Sequence, residues 1–141
     1  MQVMFAAMVA VASIMPTIAA PHQGQVKMTM GDQNDRHVNI IVSSDGGAIH
    51  IDTQRVGAPG SLFRLSVDRP RAGFSQILSR RNCHYDDQGS VCTIRLRKGN
   101  RTFARVLAAL RTGRRVHVEI QNAGNMLMSE EASLKDVFAQ K

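Results

Sequence analysis

The residues richest in possible chemistry lie in one run, CHYDDQGSVC, from Cys83 to Cys92. It holds both cysteines of the chain, a histidine beside the first, and Asp86 and Asp87 between them. Such a run can be a redox centre, a metal site or a disulfide staple. The spacing is too wide for a redox pair of the CxxC kind, in which neighbouring sulfurs tune each other's acidity. A structural zinc site needs four ligands, usually as two close pairs. Cys83, His84 and Cys92 offer three, and no second pair follows at ligand spacing. Asp86, Asp87 and Gly89 read as a turn rather than a calcium loop, because no glutamate stands at the twelfth position. The pair therefore reads as a disulfide. It is expected to tie an irregular loop to a strand beginning near Val91.

Other chemistry is sparse. The chain lacks the phosphate-binding, dinucleotide, nucleophile-elbow and zinc-protease motifs GxxxxGK[ST], GxGxxG, GxSxG and HExxH. DQNDRH at 32–37 resembles the start of a calcium loop, but Arg36 stands at a ligand position. His37, His50 and His117 fall on candidate strands, so a metal or enzymatic site built from them is one alternative reading. No pair of groups suggests acid–base work, and no catalytic residue, metal or cofactor is expected.

Charge is the stronger signal. The 141 residues carry 18 Lys and Arg against 11 Asp and Glu, a net charge of +7. From Arg64 to Arg115 there are thirteen basic residues and only three acids, Asp68, Asp86 and Asp87. A surface so biased draws polyanions by long-range electrostatics. Arg80, Arg81, Arg95, Arg97, Lys98, Arg101 and Arg105 are the candidate contacts for an anionic envelope component or protein partner, with a membrane surface also compatible. A nucleic acid is the alternative polyanion. Base-stacking modules need exposed aromatic rings, and this chain has no Trp, one Tyr and five Phe. Specific nucleic-acid recognition is therefore not expected.

The elements that must position these residues are mostly strands. Period-two alternation marks 25–30, 37–43, 48–53, 62–68, 91–97 and 115–121. Faces of Val26, Met28 and Met30, then Ile49 and Ile51, then Phe63, Leu65 and Val67 should be buried. The same holds for Cys92, Ile94 and Leu96, and for Val116, Val118 and Ile120. Arg115, His117, Glu119 and Gln121 fall on the outer face. SSDGG at 43–47 predicts a hairpin using Gly46 and Gly47 in positive φ. Phe103, Val106, Leu107 and Leu110 follow i, i+3, i+4, i+7 and predict one mid-chain helix. Asn100 or Thr102 would cap it, and Gly113 would stop it in the left-handed region. A short closing helix is expected from Ser133, with Leu134, Val137 and Phe138 inward. The class is α+β, a mostly antiparallel sheet or small sandwich of about six strands.

The leader MQVMFAAMVAVASIMPTIAAP has no charged side chain. It reads as a secretory signal over 1–19 with cleavage after Ala19, although the basic start usual for such segments is missing. Retention as a membrane anchor is the alternative, disfavoured because Pro16 breaks a run barely long enough to span. Residues 20–141 then form one disulfide-tied, β-rich domain, periplasmic or secreted, which agrees with paired cysteines in an oxidising compartment.

The order of the back half resembles the invasion-associated locus B family of Gram-negative periplasmic proteins. The residues that carry it are Cys83, Gly89 and Cys92, then Leu107, Ala109, Leu110 and Gly113, the strand Val116 to Ile120, and finally Ser133, Leu134 and Phe138. They span about sixty residues. The front half departs from the family in lacking its tryptophan and further cysteine. The resemblance implies a non-enzymatic cell-envelope protein associated with virulence and host-cell invasion, with no catalytic residues to carry over.

Overall fold

The computed structural model describes residues 25–31, 35–43, 45–68 and 72–139. The leader and residues 32–34 of the run at 32–37 fall outside the described residues. Among the described residues, no helix is long and apolar enough to cross a membrane.

The elements in order are β1 (Gln25–Gly31), β2 (His37–Ser43), β3 (Ala48–Gln54), β4 (Leu62–Val67), β5 (Ala72–Ile77), β6 (Cys83–Asp86), β7 (Gly89–Arg97), α1 (Arg101–Thr112), β8 (Arg115–Asn122) and β9 (Asn125–Ser133). They build two sheets, ordered β1-β2-β3-β7-β6 and β5-β4-β8-β9. All seven strand pairings are antiparallel. The expected six strands are all present, and nine are found among the described residues, with one helix.

Alternation decides what each sheet buries. Val38, Ile40, Val42, Ile49, Ile51, Ile94 and Leu96 from the first sheet share one core with Phe63, Leu65, Val67, Val116, Val118 and Ile120 from the second. Successive side chains on a strand point to opposite faces, so each central strand contributes its apolar half to this core. On β1 the pattern fades outward: Met30 is buried, Met28 partly so, and Val26 is 40% exposed. The chain crosses between sheets through 55–61, where Ser61 is buried but satisfied. Its Oγ accepts from the Ala58 N–H at 3.0 Å and from Asn122 Nδ2 at 2.9 Å.

Helix α1 makes the last crossing, from β7 to β8. Phe103, Val106 and Leu110 are its buried stripe, with Leu107 partly buried. Asn100 is the cap: its Oδ1 accepts from the Thr102 and Phe103 N–H groups at 2.7 and 3.3 Å. Gly113 ends the helix differently from expectation. It is extended, at φ −77° and ψ 169°, so left-handed freedom is not why it is glycine. A Cβ there would collide with Val67 and stand 2.7 Å from the Ala109 carbonyl oxygen.

Two further expectations are corrected. Of the two glycines in the β2–β3 turn, Gly46 takes positive φ, at 68°, and Gly47 does not. Arg111 of α1 lies across it, its Nη2 only 2.7 Å from where a Cβ would sit. Beside it, Asp45 Oδ1 accepts from the Ser43 hydroxyl (2.7 Å) and the Gly47 N–H (2.8 Å), and these bonds, the hydroxyl first, hold its carboxyl below the usual aspartate range. The closing helix is replaced by a turn. Ser133 belongs to β9, and Lys135 and Asp136 have φ of 36° and 63°, which a right-handed helix cannot accept. Leu134 and Phe138 are still buried. The Leu134 N–H donates to the Arg114 carbonyl at 2.8 Å, fastening the end of the described chain to the start of β8.

Candidate functional site: a cationic recess beside the disulfide

Cys83 and Cys92 are joined in a disulfide. The run between them is a regular hairpin, not an irregular loop, and its second strand starts at Gly89. Cys83 pairs directly with Cys92 across β6 and β7. The Thr93 N–H donates to the Asn82 carbonyl at 2.8 Å, just beyond the pair. The cysteines therefore occupy a non-hydrogen-bonded position, where opposed side chains stand closest, and their Cα atoms are 4.0 Å apart. At the tip, the Gln88 N–H donates to Asp86 Oδ1 at 2.8 Å, and Arg55 reaches Gln88 Oε1 at 2.8 Å.

An open depression of about 410 Å³ adjoins this hairpin, lined by Gln76, Arg81, Asn82, His84, Thr93 and Arg95. Its floor is fixed by hydrogen bonds. Asn82 Oδ1 accepts from the Ser79 N–H and hydroxyl at 2.9 and 3.0 Å, and Asn82 Nδ2 donates to the Thr93 carbonyl at 3.0 Å. The Thr93 hydroxyl donates to Asp52 Oδ1 at 3.0 Å. Over this floor the side chains of Gln76, Arg81, His84 and Arg95 have no hydrogen bond or ion pair among the described residues.

The seven basic candidates separate. Arg81 and Arg95 meet in the recess. Arg97 is exposed on the same face of β7, two residues further, and Arg80 is exposed in the turn before β6. Lys98 lies in the turn after β7, near enough to Asp45 to help hold its carboxyl ionised. Arg101 is exposed at the first residue of α1. Arg105 belongs elsewhere: its Nη2 donates to the Gly73 carbonyl at 2.9 Å, and it lines a second depression of about 340 Å³ with Val67, Asp68 and Gly113. Gln76 and His84 were not foreseen as lining residues. The available signal was that Asn82, His84 and Thr93 are sequence neighbours of the cysteines.

The strand histidines do not converge. His37 pairs with Gln54 at one end of β2, His50 pairs with Ile41 and Arg95, and His117 is in the other sheet. Among the described residues no group of three or more His, Cys, Asp or Glu could hold a metal ion. His117 lies on the outer face as expected, yet it is only 9% exposed. Its Nε2 is 3.0 Å from Glu119 Oε2 and 3.3 Å from Ser129 Oγ, and its Nδ1 is 3.6 Å from Glu131 Oε1. Arg115 and Arg64 pair with Glu131 and Glu119 in turn. Nε2 already faces a carboxylate and cannot also serve the Ser129 hydroxyl as a base. The group binds β8 to β9 and β4.

Fold and site together define a class: a two-sheet antiparallel β-sandwich with a disulfide-tied hairpin and a cationic recess at its base. No family model matches the chain, and no curated protein matches it. Among solved structures it is similar to a crystal structure of invasion associated protein B from Bartonella henselae, with a TM-score of 0.45 and 19% identity over 75% of this chain and 71% of that one.

Proposed function

We propose that this chain is an exported, non-enzymatic protein of the cell envelope, of the invasion-associated locus B type, and that it contacts an anionic partner through its arginine-rich side. The observation that carries the reading is the recess in which Arg81 and Arg95 stand beside His84 without ion-pair partners among the described residues. Cations left unpaired on a folded surface are free to pair with an anion from outside. The net charge of +7 adds long-range attraction. The disulfide and the uncharged leader support export, because disulfides persist in oxidising compartments. The family reading is supported by the cysteine and helix motifs of the back half.

Two measurements test it. Sedimentation with phosphatidylglycerol vesicles should show binding that collapses from roughly 0.1 to 1 M salt, as the Debye length falls from about 10 to about 3 Å. Phosphatidylcholine vesicles should not bind. Binding that ignores salt, or no binding to the anionic vesicles, removes the contact. Export is tested separately by intact mass of protein taken from its native host. The polypeptide should begin at Ala20 and gain a pair of hydrogens only after reduction. A chain retaining the leader, with both thiols free, ends the envelope assignment.

A further inference from the structure

We propose that the recess beside the disulfide binds the phosphate monoester of a sugar, and that the Cys83–Cys92 bridge sets the spacing of its walls. The proposal rests on the anion-contact reading above and names a ligand for it. It starts from where the lining residues stand. Asn82 and His84 are the chain neighbours of Cys83, and Thr93 is the neighbour of Cys92. Half of the recess is therefore built from residues attached to the bridged pair. The bridge holds those two backbones together at the position where β6 and β7 meet, and the Asn82–Thr93 hydrogen bonds continue the clamp one residue further.

The charge in the recess comes from two separate segments. Arg81 enters from the link between β5 and β6, and Arg95 from β7. Among the described residues no carboxylate lines the space. The nearby Asp52 is engaged by the Thr93 hydroxyl, and the residue opposite Arg95 on β3 is His50. A guanidinium presents a rigid fork of donors that matches two oxygens of a carboxylate or phosphate. A carboxylate carries one unit of charge on two coplanar oxygens. A phosphate monoester has three terminal oxygens and nearly twice the charge, so it can engage two forks and the His84 ring together.

The remaining lining describes the body of the ligand. Among the described residues no apolar or aromatic side chain lines the recess, so none of them would stack a base or cover an acyl chain. Gln76 contributes a carboxamide, which offers donors and an acceptor side by side and suits vicinal hydroxyl groups. A volume of about 410 Å³ exceeds what a bare oxyanion fills and falls in the ordinary range of small-molecule sites, roughly 300–1,000 Å³. A polar space of that size with one cationic wall fits a sugar phosphate. The same chemistry occurs free and on the phosphorylated saccharide head of a glycolipid.

The test is calorimetric titration of the disulfide-bonded protein with glucose 1-phosphate, glucose and inorganic phosphate. Glucose 1-phosphate should bind at least roughly tenfold more tightly than inorganic phosphate, and glucose should not bind. Arg81→Gln and Arg95→Gln should each weaken glucose 1-phosphate by about ten- to a hundredfold, the size expected for a charge-assisted hydrogen bond. Arg114→Gln, exposed and outside both the recess and the candidate contacts, should leave it unchanged. Cys83→Ala/Cys92→Ala, shown to be folded by its far-ultraviolet spectrum, should bind several-fold more weakly. Competition by vesicles carrying a phosphorylated glycolipid, lost in Arg95→Gln, assigns the source to a membrane; competition by the soluble sugar phosphate alone assigns it to a free metabolite. Glucose 1-phosphate binding no better than inorganic phosphate, or indifferent to both arginine variants, overturns the proposal. If phosphatidylglycerol vesicles are still bound in a salt-dependent way, only this inference falls and the envelope reading stands.

Discussion

Replacing Phe63 by alanine lowers the stability of the folded chain by about 3–5 kcal/mol, the usual range for deleting a fully buried aromatic ring. Phe63 is 0% exposed, on β4, the strand hydrogen-bonded to both β5 and β8. Its backbone is held in register opposite Gln76 on one side and Ile120 on the other. The space vacated by the ring cannot close by moving the strand, because both ladders would have to shift with it. The neighbouring ring of Phe74, 5.8 Å away between centroids, also loses its contact. A domain of this size is stable by only about 5–15 kcal/mol, so the loss takes a large share of the total. Phe74→Ala should cost clearly less, since Phe74 is on the edge strand and only partly buried. Urea unfolding at unchanged m-value measures both. A loss at Phe63 no larger than about 0.5 kcal/mol, the level typical of a surface site, would mean that the two sheets do not share this core.

The strands legible in the sequence are those that bury one face cleanly. Val38, Ile40 and Val42 on β2 are buried at every second position, and Val116, Val118 and Ile120 on β8 alternate with polar residues. The three unforeseen strands are short or sit at a sheet edge, where alternation is weak. On β5, Gly73 and Ser75 contribute no apolar side chain, and Gln76 shares the face of Phe63. On β9, Glu130 pairs with Val118, and a bulge at Ile120/Gln121 breaks the phase. β6 is four residues long and its last three are exposed. The closing helix was misread because Leu134, Val137 and Phe138 have helical spacing, but a compact turn places Leu134 and Phe138 against the core equally well. Nothing in composition reveals that Lys135 and Asp136 take positive φ.

The site shows the same division. Its charge was visible in the sequence, since Arg81 and Arg95 stand in the basic stretch. Its membership was not. Gln76 joins the recess from an unforeseen strand, His84 joins because the hairpin register turns it away from the sulfur pair, and Arg105 departs to cover Gly73. These are consequences of strand order, which places β6 at one sheet edge and β5 at the edge of the other. Residues distant along the chain become walls of one space only when that order is known.

The second large effect is that of the bridge. Cys83→Ala/Cys92→Ala should lower stability by about 2.5–3 kcal/mol on the chain-entropy account of a ring of about ten residues. The sulfurs are separated by nine positions in sequence. Most of that effect lies in the unfolded chain, because the folded hairpin keeps other restraints. Its ladder pairs Cys83 to Asp86 with Gly89 to Cys92, and Asn82 remains bonded to Thr93. A smaller part lies in the core, since Cys92 is 0% exposed and alanine there leaves its sulfur's space unfilled. The wild type unfolded in the presence of a reductant should therefore be more stable than the double variant by only this packing share. Urea midpoints for oxidised wild type, reduced wild type and the variant separate the two contributions. The expected order is oxidised highest, reduced well below it, and the variant slightly lower again. Equal midpoints for oxidised and reduced protein would show that the 83–92 segment is already closed before folding, leaving the covalent link nothing further to restrict.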